Sequence, residues 1–203
     1  MARTDARGGP RTRERIREVA NRMFMERGFD AVTVSEIARE AGVSSVTVFN
    51  HFPTKEALFL DRVDDAVEFL HAAVRDRAAD TAVIDSLRSG TLLLVEERHP
   101  LSGVDERSIP FFRTVAESPA LVARAREIAA ELQRTLVVEL ERDATFGGDA
   151  TLLSAFFIAG YSSVLTETGR RAIAGEPLDA ILPDHRARFE RLFAALRDGV
   201  GSA

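Results

Sequence analysis

The sequence predicts an all-α protein of about nine helices. Apolar residues recur at spacings of three and four through almost every segment, the interruptions fall on glycine and proline, and no run alternates with the period of two that a strand requires. Residues 1–10, with Gly8, Gly9 and Pro10 among charges, read as a flexible arm that ends where Thr12 can cap a helix. Ile16, Val19, Ala20, Met23 and Phe24 then form one apolar stripe, and Gly28 supplies its stop. Two brief helices follow on either side of Gly42, the first opened by Thr33 or Ser35 and the second by Ser44, running to Asn50. Beyond Pro53 and Thr54, one helix from Lys55 to about Arg77 carries Leu58, Phe59, Val63, Ala66, Val67, Leu70 and Val74 and is about 34 Å long. Further helices span roughly 82–98, 106–117, 119–144, 149–174 and 178–200, separated at Pro100, Gly103, Pro119, Gly147-Gly148 and Gly175-Pro177.

A chain of 203 residues with 45% hydrophobic content buries a substantial core. It has no cysteine, which excludes disulfides, thiolate nucleophiles and Cys-based zinc sites and fits a reducing, cytoplasmic setting. No apolar run is expected to approach the roughly 20 residues that cross a bilayer, and no apolar segment follows the arginine-rich start as a secretory signal requires. The net charge of -5 is unevenly spread: residues 1–55 hold ten basic against seven acidic side chains, a net of +3, which leaves -8 for the remainder. A basic end on an acidic body suits a protein that meets phosphate with one face only.

The segment from Val32 to Leu58 carries the chemistry. Two short helices cross closely only if a small residue lies at the contact, and Ala38 stands four residues before Gly42, which can take the left-handed backbone. Ile37, Ala41, Val43 and Val48 are placed to bury against the first helix, and the second helix offers Ser44, Ser45, Thr47, Asn50 and His51, short or polar side chains that suit phosphates and base edges.

On these residues, Arg11 to about Leu60 resembles the DNA-binding domain of the TetR family of bacterial repressors. The resemblance rests on Gly28-Phe29, Thr33, Ile37-Ala38, Ala41-Gly42-Val43-Ser44, Thr47, Phe52 and Lys55-Glu56, spread over three helices in one register. It implies an all-α homodimer with a helix-turn-helix domain at residues 11–56 and a ligand-binding and dimerisation domain at residues 57–203. It further implies that Thr33 binds phosphate, that Ser44, Ser45, Thr47, Val48, Asn50 and His51 face the major groove of a double-stranded, pseudo-palindromic operator, and that Lys55 meets the backbone. Phe49 departs from the family's usual Tyr and so lacks a hydroxyl for phosphate; Ser45 replaces a frequently basic residue and Val46 a frequently small one. Val46 or Val48 is then suited to a thymine methyl.

In the larger part, Leu152, Leu153, Phe156, Phe157, Gly160 and Val164 make one apolar face, and Ile181, Phe189, Leu192, Phe193 and Leu196 another. These two last helices are the expected homodimer seam, though either face serves equally as intramolecular core. Leu93, Phe111, Phe112, Phe156, Phe157 and Tyr161 are the expected lining of a pocket for an apolar or amphipathic effector, with Arg113, Glu117 and Thr166 as polar anchors. A regulator without an effector, or an activator, has the same sequence signature. An enzyme is not expected: His51, His71, His99 and His185 lie on different helices, Glu96, Glu97 and His99 lack zinc-protease spacing, and Gly147-Gly148 follows no strand as a phosphate loop does. No metal and no cofactor are expected.

Overall fold

The computed structural model describes residues 8–105 and 107–199. They form ten α-helices and one 3-10 turn, with no strand among the described residues. The helices are α1 (Gly8–Arg27), α2 (Val34–Glu40), α3 (Ser45–His51), α4 (Lys55–Phe59), α5 (Val63–Arg75), α6 (Val83–Glu96), α7 (Ser108–Glu117), α8 (Pro119–Arg142), α9 (Ala150–Ile173) and α10 (Leu178–Gly199), and the 3-10 turn is Pro100–Ser102. The all-α class holds, with two differences of detail. Helix α1 already begins at Gly8, because Pro10 lies in the first turn, where no N–H is needed; residues 1–7 of the expected arm lie outside the described residues. The single helix expected over Lys55–Arg77 is two, since the backbone leaves the helix at Leu60 (φ -97°, ψ 59°). No proline or glycine marks that break. Leu58 and Phe59 are buried with the helices before them, and Leu70 and Val74 in a separate core, while the nearly buried Asp61 carboxylate accepts from Arg17 Nη1 on α1 at 3.4 Å.

Contacts divide the described residues into two compact units, residues 8–61 with 114–124, and residues 62–105 and 107–113 with 125–199. In the first unit, Ile16, Ala20 and Phe24 of α1 are fully buried, as are Ile37 of α2, Val48 of α3 and, within 1%, Phe52 and Leu58. Phe24, Phe29 and Phe59 meet in a triangle of rings with centroids 4.9, 5.8 and 6.2 Å apart. Such edge and tilted contacts each add about 0.5–1.5 kcal/mol beyond the burial itself. Leu121 is also fully buried, and the nearly buried Ser118 donates to Asp30 Oδ1 at 3.0 Å.

Helix α2 starts with a reciprocal cap. The Thr33 hydroxyl accepts from Glu36 N at 3.3 Å, and Glu36 Oε2 accepts in return from Thr33 N at 2.8 Å, so two N–H groups that the helix start leaves unpaired are satisfied. Arg27 Nη2 donates to the other Glu36 oxygen at 2.7 Å. That hydrogen bond, with those from the Thr33 backbone and hydroxyl, holds the Glu36 carboxyl down at about 2.

The second unit packs α9 on α10, α10 on α6 and α5 on α6. Its core joins Leu70 and Val74 to Leu87, Val95, Leu136, Leu140, Leu153, Phe157, Phe189 and Phe193. Polar links tie the helices outside that core. Arg88 of α6 grips Glu190 of α10 through two hydrogen bonds of 2.7 Å, and Arg75 of α5 donates through Nε and Nη2 to the two oxygens of Glu139 of α8, whose side chain is 4% exposed. Hydrogen bonding to Arg75 keeps the Glu139 carboxyl below the ordinary carboxylate range. Helix α9 is long and apolar enough to cross a membrane by length and composition, with a mean hydropathy of 1.2, which corrects the expectation that no such run exists. Its charges, Glu167, Arg170 and Arg171, gather at the C-terminal end, so a window near the start passes. Only 28% of that window is buried.

Two outcomes test these packing relations. Because the folded-state carboxyl of Glu36 lies below its ordinary 4.5, its stabilisation is present above that pH and fades as pH falls toward 2. Glu36→Gln is therefore expected to lower the melting temperature at pH 7, with the gap to the parent closing on acidification; a gap constant from pH 7 to pH 2 refutes the link. At the α9–α10 crossing, a Cβ at Gly160 falls 2.3 Å from Leu192 Cδ1. Gly160→Ala is expected to cost about 1–3 kcal/mol in urea unfolding by overpacking, and Gly160→Ala with Leu192→Ala to cost less than the two separate losses added together.

Candidate nucleic-acid interface

Helix α2 ends in a turn that only a left-handed residue completes. Gly42 has φ +65°, its N–H bonds Arg39 O at 3.1 Å, and Val43 N bonds Ala38 O at 2.9 Å. The pair forms a Schellman closure, which satisfies two carbonyls at the helix end and reverses the chain within two residues. Ser44 then caps α3: its Oγ accepts from Thr47 N at 3.1 Å and lies 2.9 Å from Thr47 Oγ1. Helix α3 turns Val48 inward to complete burial and leaves the opposite side uncovered.

That uncovered face consists of Val46, Phe49 and Asn50, related by steps of three and four along α3, with the half-buried Ser45 at its edge. Val46 is 69% exposed and Phe49 49% exposed. Asn50 is exposed, and its side chain has no partner among the described residues. Val48 is corrected: at 0% exposure it packs inside the helical unit and cannot meet a groove, because its position on α3 is the one that closes on α1 and α2. Ser44 is exposed as a cap, Thr47 and His51 are half-buried beside the face, and Thr33 directs its hydroxyl proton to Glu36 Oε2 at 2.8 Å. Lys55, the chain's only lysine, is half-buried at the start of α4 with Nζ 4.3 Å from the centroid of Phe29 and 5.9 Å from that of Phe24. Burial pulls its pKa down, partly opposed by Asp30, Glu56 and Glu36. On α1, the Arg13 guanidinium lies 4.7 Å over the ring of Phe52. Among residues the sequence did not single out for exposure, Phe49 stands out; the signal available was its place one turn before the buried Phe52 and one turn after Val46.

The six residues expected around an effector are not brought together. Leu93 and Phe156 are 51% and 52% exposed, whereas Phe157 is 1% exposed and packs on Phe193 and Tyr161 at centroid distances of 5.9 and 5.8 Å. Tyr161 also donates its hydroxyl to Leu101 O at 3.1 Å. Phe111 and Phe112 touch edge to face at 5.9 Å, and the ring of Phe112 covers Gly103 and Gly169. Side chains thus fill the interior that the sequence suggested as a cavity. A surface cleft of about 540 Å³ lies elsewhere in the second unit, with Phe69, Ala72, Leu94 and Leu101 below a rim of Asp64, Asp65, Glu68 and His99. Its walls come from α5, α6 and the 3-10 turn, and periodicity alone could not separate such a half-covered apolar strip from core.

Comparison with known proteins agrees with this geometry. Residues 16–61 match the family of bacterial regulatory proteins of the tetR type. The repressor KstR2 of Mycobacterium tuberculosis is 37% identical over 70 residues, which cover 34% of this chain and 35% of that protein. The chain spans between 17% and 64% of the length of the curated relatives it matches first. Among solved structures, a TetR-family regulator from Streptomyces coelicolor A3 superposes with a TM-score of 0.58 at 22% identity, covering 96% of this chain and 99% of that one. The complex of SmeT with triclosan gives 0.60 at 19% identity, covering 95% and 92%. Residues 16–61 are thus similar to the tetR family of bacterial regulatory proteins, and the fold along nearly the whole chain is that of solved TetR-family regulators.

Proposed function

We propose that this protein is a cytoplasmic transcriptional repressor that binds a pseudo-palindromic operator as a homodimer and is released by a small amphipathic effector. The observation that carries the reading is the α2–α3 helix-turn-helix inside the matched segment, with the Val46, Phe49 and Asn50 face of α3 left uncovered. In this reading residues 11–56 are the DNA-binding domain and residues 57–203 the ligand-binding and dimerisation domain. Ser44, Ser45, Thr47, Asn50 and His51 lie on or beside the face that enters the major groove, with Thr33 and Lys55 near the flanking phosphates. Repression is supported by the function named for KstR2.

Dimerisation through α9 and α10 is supported on α9 alone, by the exposure of Leu152 and Phe156, 48% and 52%, since Ile181, Phe189, Phe193 and Leu196 of α10 are buried in the core. The effector reading draws on SmeT, solved with triclosan. Since Phe157 is buried and the half-buried Phe112 and Tyr161 are packed against neighbouring side chains, the cleft under Asp64, Asp65 and Glu68 is the better seat for an amphipathic molecule in this conformation.

Selection of bound duplexes from a random pool, followed by footprinting, is expected to return a pseudo-palindrome with half-sites about 34–36 Å apart; recovery of nothing above random DNA overturns the reading. Lys55→Ala is expected to weaken binding to all sequences and to reduce the salt slope by about one phosphate contact, and an unchanged slope removes Lys55 from that role. Phe156→Asp is expected to turn a dimer into a folded monomer in sedimentation, whereas a parent that is already monomeric at micromolar concentration defeats the dimer.

A further inference from the structure

We infer that α3 reads its half-site through thymine methyl groups, with Val46 and Phe49 as the specificity-determining side chains. This rests on the DNA-reading role proposed above and deepens it. Among the described residues of the first unit, the large apolar side chains that are exposed rather than buried or half-buried are Met25, Val46 and Phe49, at 39%, 69% and 49%. Two of the three stand on the one short helix that presents its face outward, three residues apart and so on the same side. Their shared surface is apolar, while the neighbours Ser45 and Asn50 are small or polar.

The residue types on α3 narrow what that surface can recognise. Between Ser45 and His51 there is no arginine or lysine, so the helix lacks the side chains that bind guanine O6 and N7 most often. Phe49 has no hydroxyl to give to a phosphate, and neither Phe49 nor Val46 can donate or accept a base-edge hydrogen bond. The only apolar group that the major groove offers is the C5 methyl of thymine. Asn50, exposed one residue after Phe49, carries the amide that pairs in bidentate fashion with adenine N6 and N7. Together these side chains fit A·T pairs in which the methyl seats on Val46 or Phe49, and a G·C pair has no methyl to meet that apolar surface.

The test replaces thymine by deoxyuridine in the selected operator, one position at a time, which removes the methyl and keeps base pairing. The parent protein is expected to lose about fourfold in affinity at one or two positions per half-site, the change that corresponds to about 0.8 kcal/mol for one buried methylene. The Val46→Ala, Phe49→Ala double variant is expected to bind thymine and uridine duplexes alike. Because both positions are on the surface, its melting temperature should stay near the parent's, and the uridine series on the parent stands without any variant. Binding to the operator with no loss at any uridine position overturns the methyl readout and leaves the DNA-reading role intact. A thymine preference that persists in the double variant overturns the assignment to Val46 and Phe49. Failure to bind any duplex overturns both readings.

Discussion

Which residues of α3 face outward is decided by the burial of Val48 and Phe52. A seven-residue helix has too few hydrogen bonds to hold itself in water, so its existence and its rotation both depend on the apolar residues it sinks into the unit beneath. Val48 is fully buried and Phe52, its C-terminal cap, is 1% exposed, four residues apart on one side. With that side fixed, Val46, Phe49 and Asn50 have no place but outside. The Gly42 closure acts on the same constraint from the other end: it sets the path by which the chain leaves α2, and Ser44 starts α3 within two residues. Any change in the Ile16, Phe24, Ile37 and Val48 core would therefore re-aim the face without touching it.

The second unit depends on a different balance. Its core is continuous through α5, α6, α8, α9 and α10, but its charged links run outside that core and bridge helices distant in sequence, as Arg88 does to Glu190. Pairs of this exposure contribute little to stability, about 0–1 kcal/mol each. They select the register of helices that apolar contact alone would hold less specifically. Glu139 differs, because a carboxylate 4% exposed must keep its partners, and Arg75 and His71 of α5 and Arg142 of its own helix surround it.

Much of the first unit was legible in the sequence. The α1 stripe, the caps Thr33 and Ser44, the partner Glu36 and the turn glycine each act through local chemistry, so their meaning is present in a window of a few residues. What was not legible depends on distant surfaces. The break at Leu60 leaves no mark, because the spacing from Phe59 to Val63 continues a helical stripe while the two residues bury in different places. Val48 read equally as groove or core, since a valine in a short helix has no polarity to assign it; the shape of α1 and α2 did so. Likewise Phe112, Phe157 and Tyr161 were expected to line a pocket, but whether aromatic side chains enclose a cavity or fill it is a question of volume, which composition does not contain.

The charge of the first unit looks different once its pairs are known. Arg17 is held by Glu14 and Asp61, Arg22 by Glu40, and Arg27 by Glu36, so three of the ten basic residues counted over residues 1–55 are already matched by carboxylates. Arg22 and Glu40 are each about half exposed, and a phosphate can replace that carboxylate at small cost. Arg27 is different: releasing it also removes a hydrogen bond from the carboxylate that caps α2, and so weakens the start of the helix that positions α3. Thr33 is bound to the same carboxylate. The cations that can approach phosphate without unmaking the fold are therefore fewer than the count suggests, and the sequence-independent part of DNA affinity is correspondingly small. If α3 reads base edges as proposed, those contacts would supply a larger share of the binding free energy, and discrimination among sequences, being a ratio of specific to non-specific affinity, would rise as the phosphate term falls.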